Sequence, residues 1–323
     1  MEKVLITGSN GYIGSRLARA LLSEGYKIIG VDVVFHNIID LQDDPNVMCI
    51  TADITDAAAI PPAVKDAEIV VHCAALVHKR SRDLSRGNYF RTNQLGTKNI
   101  LENLDPARVK RIIFLSTVSV YGSTAAGIEP DENAVPAPDD FYGESKLAAE
   151  EEIRSFSTRH RIPYTILRLS PVYGRSFLLN IHKRIYLPGR HCFYRIGRGT
   201  QKLSLCSVNN LLDVIKRGLH DRAFYDRTLN IRDPENYSIN DIISFFNTGT
   251  GKKKPVITIP AAVPRMAFSF LSLVLPEKAE YYRYQFKKIS LDATFSIESL
   301  RGTGTDLPWG LESTFARGAK TPA

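Results

Sequence analysis

Through its first half the chain alternates short, β-branched apolar runs with segments whose apolar residues recur at helical spacing. The runs are "KVLITG", "KIIGVDVV", "VMCITAD", "EIVVHCA", "VKRIIFLST" and "PYTILRLS". Helical patterns fall between them: "IGSRLARALLSEG", "DAAAIPPAV", "YFRTNQLGTKNILENL" and "DDFYGESKLAAEEEI". Strands that are apolar on both faces and separated by helices predict an α/β fold, a doubly wound parallel sheet with helices on each side. After Pro171 the alternation loosens. A basic, loop-rich stretch leads into "LSLCSVNNLLDVIKRGL", a strand running into a helix, and then "TLNIRD". We therefore expect a first domain over residues 1–172, a return to it at about 203–232, and a smaller α/β lobe over 173–323.

One apolar run stands out, "MAFSFLSLVLP" at 266–276. It falls short of the ~18–20 apolar residues that cross a bilayer, so no integral membrane span is expected. Arg265 and Glu277 flank it. A buried helix is the reading we favour, with contact at a membrane surface as the lesser one. "MEKVLITG" enters a strand at once, leaving no room for a signal peptide, and a cytoplasmic location follows as an expectation.

At 323 residues, 44% hydrophobic and 24% charged, the chain has the balance of an ordinary globular protein. Cys49, Cys73, Cys192 and Cys206 show no metal-ligand spacing, so free thiols in a reducing compartment are expected and no metal site. The net charge is +8, and from Arg175 to Lys202 there are seven Lys or Arg and no acid. No aromatic-interleaved basic motif or DNA-binding helix accompanies it, which argues against nucleic acid. A cleft holding a small polyanion such as a diphosphate explains the cluster better. "KKK" at 252–254 reads as a solvated loop.

"VLITGSNGYIGSRLARALL" is a strand, a glycine turn and a helix, with Gly8, Gly11 and Gly14 spaced GxxGxxG. Such glycines let a backbone close on a pyrophosphate and let the helix pack on the strand, with the helix N-terminus facing the anion. Asp32 ends the second strand, where a carboxylate can accept the hydroxyls of an adenosine ribose and repel a 2′-phosphate. No Arg or Lys follows it in "DVVFHN". NAD is favoured over NADP. Asp53 closes the third strand in "TADITD", within reach of an adenine amine. Further on, Tyr142 and Lys146 lie one helical turn apart behind Asp139 or Asp140, either of which can cap the helix. Surface decoration would explain the pair. So would a lysine that lowers the phenol's pKa, ordinarily ~10, until the phenolate can act as a base.

Taken together, glycine turn, strand-end acids and Tyr-x-x-x-Lys resemble the extended short-chain dehydrogenase/reductases, in the NAD-dependent epimerase/dehydratase group that acts on nucleotide sugars. "TGSNGYIGS", "VVHCAAL", "RTNQLGTKNIL", "FLSTVSVYG", "LRLSPVYG" and "LCSVNNLLDVI" carry the likeness along nearly the whole chain. The resemblance implies a Rossmann-like domain and roles for particular residues. Tyr142 would be the catalytic base and acid, Lys146 would bind the nicotinamide ribose, and Thr117 would hydrogen-bond the reacting sugar oxygen, with Ser116 and Ser119 as lesser candidates. The NAD site would draw on Gly8, Gly11, Tyr12, Ile13, Gly14, Asp32, Asp53, Ile54, Cys73, Ala74, Ala75, Thr92, Tyr142, Lys146 and Pro171. His72 reads as a core residue, Asn93 as a helix–loop clamp, and Tyr121 and Tyr173 as packing residues. A homodimer through "TNQLGTKNILENL" and the Tyr142 helix is also implied.

Three departures bear on the substrate. Val118 and Ser119 stand where dehydratases of the group carry an Asp-Glu pair, which disfavours water elimination. Lys202 and Leu203 replace an Arg-Asp pair, and Asn209 and Asn210 replace acids. Val77 fills a slot often held by Lys, for which His78, Lys79 or Arg80 could compensate. An epimerase acting at C4 of a UDP-hexose or UDP-N-acetylhexosamine through a keto intermediate leads. A 4-keto-sugar reductase or hydroxysteroid-type dehydrogenase is the alternative, and a non-catalytic NAD-binding regulator is disfavoured by the intact Thr117, Tyr142 and Lys146.

Overall fold

The computed structural model describes residues 1–77, 85–123, 127–187, 189, 191–249, 253–275 and 290–316. Each apolar run of the first half forms a strand: β1 (Lys3–Thr7), β2 (Lys27–Asp32), β3 (Val47–Thr51), β4 (Ile69–His72), β5 (Arg111–Thr117) and β6 (Tyr164–Leu169). A later strand, Arg227–Ile231, joins them against β6, giving a seven-stranded sheet that runs from that strand through β6, β5, β4, β1 and β2 to β3. Every pairing in it is parallel. Strands β4 and β5 bury every residue, as expected of a sheet covered on both faces. Strand order reverses between β1 and β4, and a crevice at such a point is where open α/β sheets bind ligands.

Helix α1 (Tyr12–Ser23) covers one face, where Leu17 and Leu21 meet Val4, Ile6 and Ile28. On the other face, Arg86–Tyr89 (α2) continues through a wide π-type stretch, Phe90–Leu95, into Gly96–Glu102 (α3), beside Phe141–His160 (α4). There Ile100, Ala149 and Ile153 pack on Leu5, Ile112 and Phe114. Each such side chain, fully buried, contributes roughly 1.5–3 kcal/mol.

Two expectations fail. "DAAAIPPAV" is not a helix: it makes two 3₁₀ turns, Ala57–Ala59 and Pro62–Asp66, because Pro61 and Pro62 remove two amide donors and push Ile60 out of helical dihedrals. The run expected to be a buried helix forms α5 (Ala262–Val274), of which no residue is buried. It follows the short strand Val256–Ile259, which pairs in parallel with Phe193–Ile196. Tyr173, Ile185, Phe193, Leu203, Ile242 and Phe246 form a separate small core in this second half. No helix among the described residues is long and apolar enough to cross a membrane.

Candidate active site

The crevice is built from the glycine turn, the loop after β4 and the start of α4. Gly8 adopts φ +66, and a Cβ there would lie 2.8 Å from the backbone of Ala74. A Cβ on Gly14 would overlap the Gly8 carbonyl oxygen, and one on Gly11 would stand 3.1 Å from it. Gly11 is the N-cap of α1 and, having no side chain, accepts nothing from the first turn. The first amides, including those of Tyr12 and Ile13, are thus left to an outside acceptor, and the 12-residue helix adds its positive end. A bare turn, a required positive φ and an uncapped helix fit a pyrophosphate, so the residues present suit the dinucleotide expected from sequence.

Asp32 sits at the end of β2, and its carboxylate is engaged within the chain. One of its carboxylate oxygens accepts from the Asn10 amide at 2.9 Å and the other from the Val33 amide at 2.8 Å. It therefore also fixes the turn. We expect Asp32→Ala to weaken NAD binding about 10-fold or more, the scale of a hydrogen bond to a charged group, and to narrow the preference over NADP. Fluorescence titration with both dinucleotides measures this; an unaltered ratio would leave Asp32 with the turn alone. Asp53 is exposed and accepts from the Thr55 amide at 2.9 Å. Ile54 is buried, its side chain against Gly96 and its carbonyl taken by Asn99 Nδ2 at 2.8 Å.

Cys73, Ala74 and Ala75 follow β4 and are half-buried, as are Thr92 and Pro171. The Ala74 amide donates to Thr7 Oγ1 at 3.2 Å. Asn93 clamps this loop to α4: its Oδ1 accepts from the Leu76 amide at 2.7 Å, and its Nδ2 donates to the Leu76 carbonyl at 3.1 Å and to Ser145 Oγ at 2.8 Å. His72 is a core residue, bridging Thr7 Oγ1 at 2.6 Å and Thr97 Oγ1 at 2.9 Å, and burial holds its pKa down at about 3. His78, Lys79 and Arg80 lie outside the described residues.

Asp140, of the two candidates, caps α4 by accepting from the Gly143 amide at 2.6 Å. Gly143 itself escaped sequence reasoning. A Cβ on it would lie 2.6 Å from the Ser119 carbonyl, so its bareness is what lets the first turn of α4 close on the end of β5. Tyr142 thereby reaches Thr117, and the two side chains are hydrogen-bonded. Thr117 Oγ1 also accepts from the Ser119 amide at 3.1 Å. Ser116 is committed elsewhere, donating to Glu150 at 2.6 Å.

The electrostatics differ from the expectation. Burial pushes the Tyr142 phenol above its ordinary value; the Thr117 hydrogen bond pulls it down, and Asp140 and Tyr89 push it up. Lys146 is buried to 1% exposure and points elsewhere, with Nζ 3.9 Å from the centre of the Phe114 ring. Burial lowers Lys146 to about 7, while Glu150 and Cys73 hold it up. The Cys73 thiol is pushed by burial to about 12. Helical spacing brings Tyr142 and Lys146 to one face, but the long lysine stem carries Nζ over Phe114 of β5.

Glu150, one turn beyond Lys146, was also missed. It is fully buried and receives Arg168 on both oxygens, at 3.0 and 2.8 Å. An arginine inside the apolar strand "TILRLS" was the available signal, since a buried guanidinium needs a carboxylate partner. Tyr121 and Tyr173 pack, as expected, donating to Asn230 at 2.8 Å and to the buried Asp233 at 2.7 Å. Asn210, one of the two departures from the acidic pattern, donates to the same Asp233 at 2.9 Å. The four cysteines are free, Cys206 buried and the others partly so.

A family model described as the NAD dependent epimerase/dehydratase family matches residues 4–231. A protein of Escherichia coli O157:H7, N-acetyl-alpha-D-glucosaminyl-diphospho-ditrans,octacis-undecaprenol 4-epimerase, is 26% identical over 98% of this chain and 94% of its own length. The UDP-glucose 4-epimerase of Vibrio cholerae is 30% identical over 66% of this chain and 65% of its own. Among solved structures, the UDP-glucuronic acid 4-epimerase of Bacillus cereus in complex with NAD is 28% identical, covers 80% of this chain and 87% of that one, and superposes with a TM-score of 0.68.

Proposed function

The chain belongs to the NAD dependent epimerase/dehydratase family, and from that premise we propose that it inverts C4 of a diphosphate-linked hexose or N-acetylhexosamine, with UDP as the carrier. The observation that carries the reading is the hydrogen-bonded Thr117–Tyr142 pair, set by the close approach of Gly143 to Ser119. Bound in this cleft, NAD would supply a reversible hydride acceptor for the sugar carbon, so that inversion leaves no net redox change. Tyr142 Oη takes the proton of the C4 hydroxyl and later gives it back. Thr117 Oγ1 holds the same sugar oxygen and keeps the phenol aimed at it. Lys146 holds the nicotinamide ribose. Gly8, Gly11, Tyr12, Ile13 and Gly14 hold the pyrophosphate, and Cys73, Ala74, Ala75, Thr92 and Pro171 line the cleft. Val118 and Ser119 offer no carboxylic acid to expel water, which supports epimerisation over dehydration. The Escherichia coli relative acts, by its name, on a sugar diphosphate carried by a polyprenol. A lipid-carried substrate is the second reading, favoured by the exposed apolar helix α5. We also propose a homodimer, formed through the outer faces of α3 and α4, in a reducing cytoplasm that keeps the four thiols free.

Denaturing the purified protein should release NAD in stoichiometric amount. The intact protein should interconvert UDP-hexose or UDP-N-acetylhexosamine epimers by NMR without added cofactor. An empty protein that consumes NADH with a 4-keto-sugar would replace the epimerase by the reductase.

A further inference from the structure

We propose that helix α5 is a membrane-surface anchor that docks the protein on an anionic bilayer. A helix face this rich in large apolar side chains ordinarily lies against a core or in lipid. Among the described residues, no core takes this one up. Its 13 residues include no buried side chain, and Met266 is 70% exposed, Phe270 64% and Leu273 79%. Scattered exposed apolar residues are normal on soluble proteins, but a contiguous patch marks a contact surface. Here Val263, Met266, Phe270, Leu273 and Val274 follow one another at three-, four-, three- and one-residue steps, so they share one stripe of the helix. Pro264, Phe268, Leu271 and Leu275 occupy the other side and are half-buried against the protein. The strand leading into the helix leaves Val256 and Ile257 exposed as well.

Charge selects lipid over an apolar protein partner. Between Asp241 and Glu277 the sequence has no acid, while Lys252, Lys253, Lys254 and Arg265 fall there. The neighbouring strand, Phe193–Ile196, lies in the equally acid-free segment from Arg175 to Lys202. Two acid-free basic segments are thus joined by strand pairing at the base of the apolar helix. Among the described residues no ion pair neutralises Lys183, Arg198, Lys253 or Arg265. An apolar stripe beside unneutralised cations is the pattern of a helix lying in the headgroup region of an anionic membrane. Its length fits lying there and not crossing: 13 residues span about 20 Å against a hydrocarbon core of ~30 Å.

The test is flotation of the full chain, without sugar, on vesicles of phosphatidylcholine and phosphatidylglycerol in equal parts and on phosphatidylcholine alone. The wild type should float with the anionic vesicles and be released by high salt, since Lys and Arg attraction is screened. The triple variant M266S, F270S, L273S should lose at least about tenfold in partitioning, because it removes the inserting side chains. These side chains are exposed and far in sequence from the catalytic residues, so its melting temperature and its turnover of soluble UDP-sugar should match the wild type. Wild type that stays out of the anionic vesicles, or a triple variant that floats equally well, would overturn the anchor. So would a wild-type dimer that the triple variant converts to monomer without altering flotation, since a second copy would then cover the stripe. Flotation is read without turnover, so it can fail or succeed independently of the epimerase reading.

Discussion

Tyr142→Phe is expected to lower turnover by on the order of 10²–10⁴-fold, the span ordinarily lost with a positioned general acid–base, while the dinucleotide stays bound. The substitution removes one oxygen and keeps the ring, whose packing beside Tyr89 at 6.2 Å between centres is preserved. Thr117 Oγ1 loses its Tyr142 partner but still accepts from the Ser119 amide, so the local structure holds. The glycine turn is made by other elements and does not depend on the phenol. Retained NAD with abolished epimerisation, measured by cofactor release and by NMR on the same preparation, is the expected pair of results. Unaltered turnover would remove Tyr142 from the chemistry. Loss of both NAD and turnover would point instead to a structural role. In the structure the phenol is held protonated by burial, with Asp140 and Tyr89 adding to the rise. A cationic nicotinamide ring bound beside it would favour the phenolate, the form that takes the sugar's proton, by the same electrostatics that Asp140 opposes.

How far the sequence foretold this site depends on where each determinant lies. The strands of the main sheet were legible because a parallel sheet buried on both faces writes itself as continuous β-branched runs. The glycine turn was legible because its three positions are local to one strand–helix unit. Where the determinant is a contact across the fold, the pattern was silent. In "DAAAIPPAV" the helical spacing of apolar residues is overridden by Pro61 and Pro62. For α5, composition registers apolar character but not which surface is left to meet it. Tyr142 and Lys146 were correctly placed on one face, yet spacing cannot reveal that Nζ settles over Phe114 or that Gly143 sets the approach to Thr117. Asn93, read as a clamp, is one, through two elements remote in sequence. Asp32 shows the limit from the other side: its position was legible, and its second task of holding the Asn10 amide was not.

Glu150 links the fold's stability to the site, and its removal gives the second large effect. Glu150→Ala is expected to destabilise the protein by about 3–5 kcal/mol, the usual cost of stripping one partner from a buried pair. Arg168, 3% exposed, would be left in a strand interior with its bidentate acceptor gone, and Ser116 would lose its acceptor too. Arg154 would suffer less, being partly solvated. Burial pushes the Glu150 carboxyl up, but Arg168, Ser116 and Arg154 together bring it below its ordinary value. With the folded value below the unfolded one, this contribution is present above the unfolded carboxylate range and is lost as pH falls through the folded value. Urea unfolding at neutral pH measures the loss, and the gap between wild type and variant should narrow on acidification. Glu150→Gln separates this from the chemistry, since it keeps the shape and removes the charge. Glu150 is the foremost group holding Lys146 up against burial, which otherwise lowers it to about 7. Without that charge Lys146 gives up its proton at still lower pH, so its protonated fraction at any given pH falls. The alkaline limb of the pH–rate profile should therefore move to lower pH in Glu150→Gln while the acid limb stays in place. A profile that keeps its alkaline limb would show that the Lys146 charge does not limit turnover, leaving Glu150 as a partner of Arg168 alone.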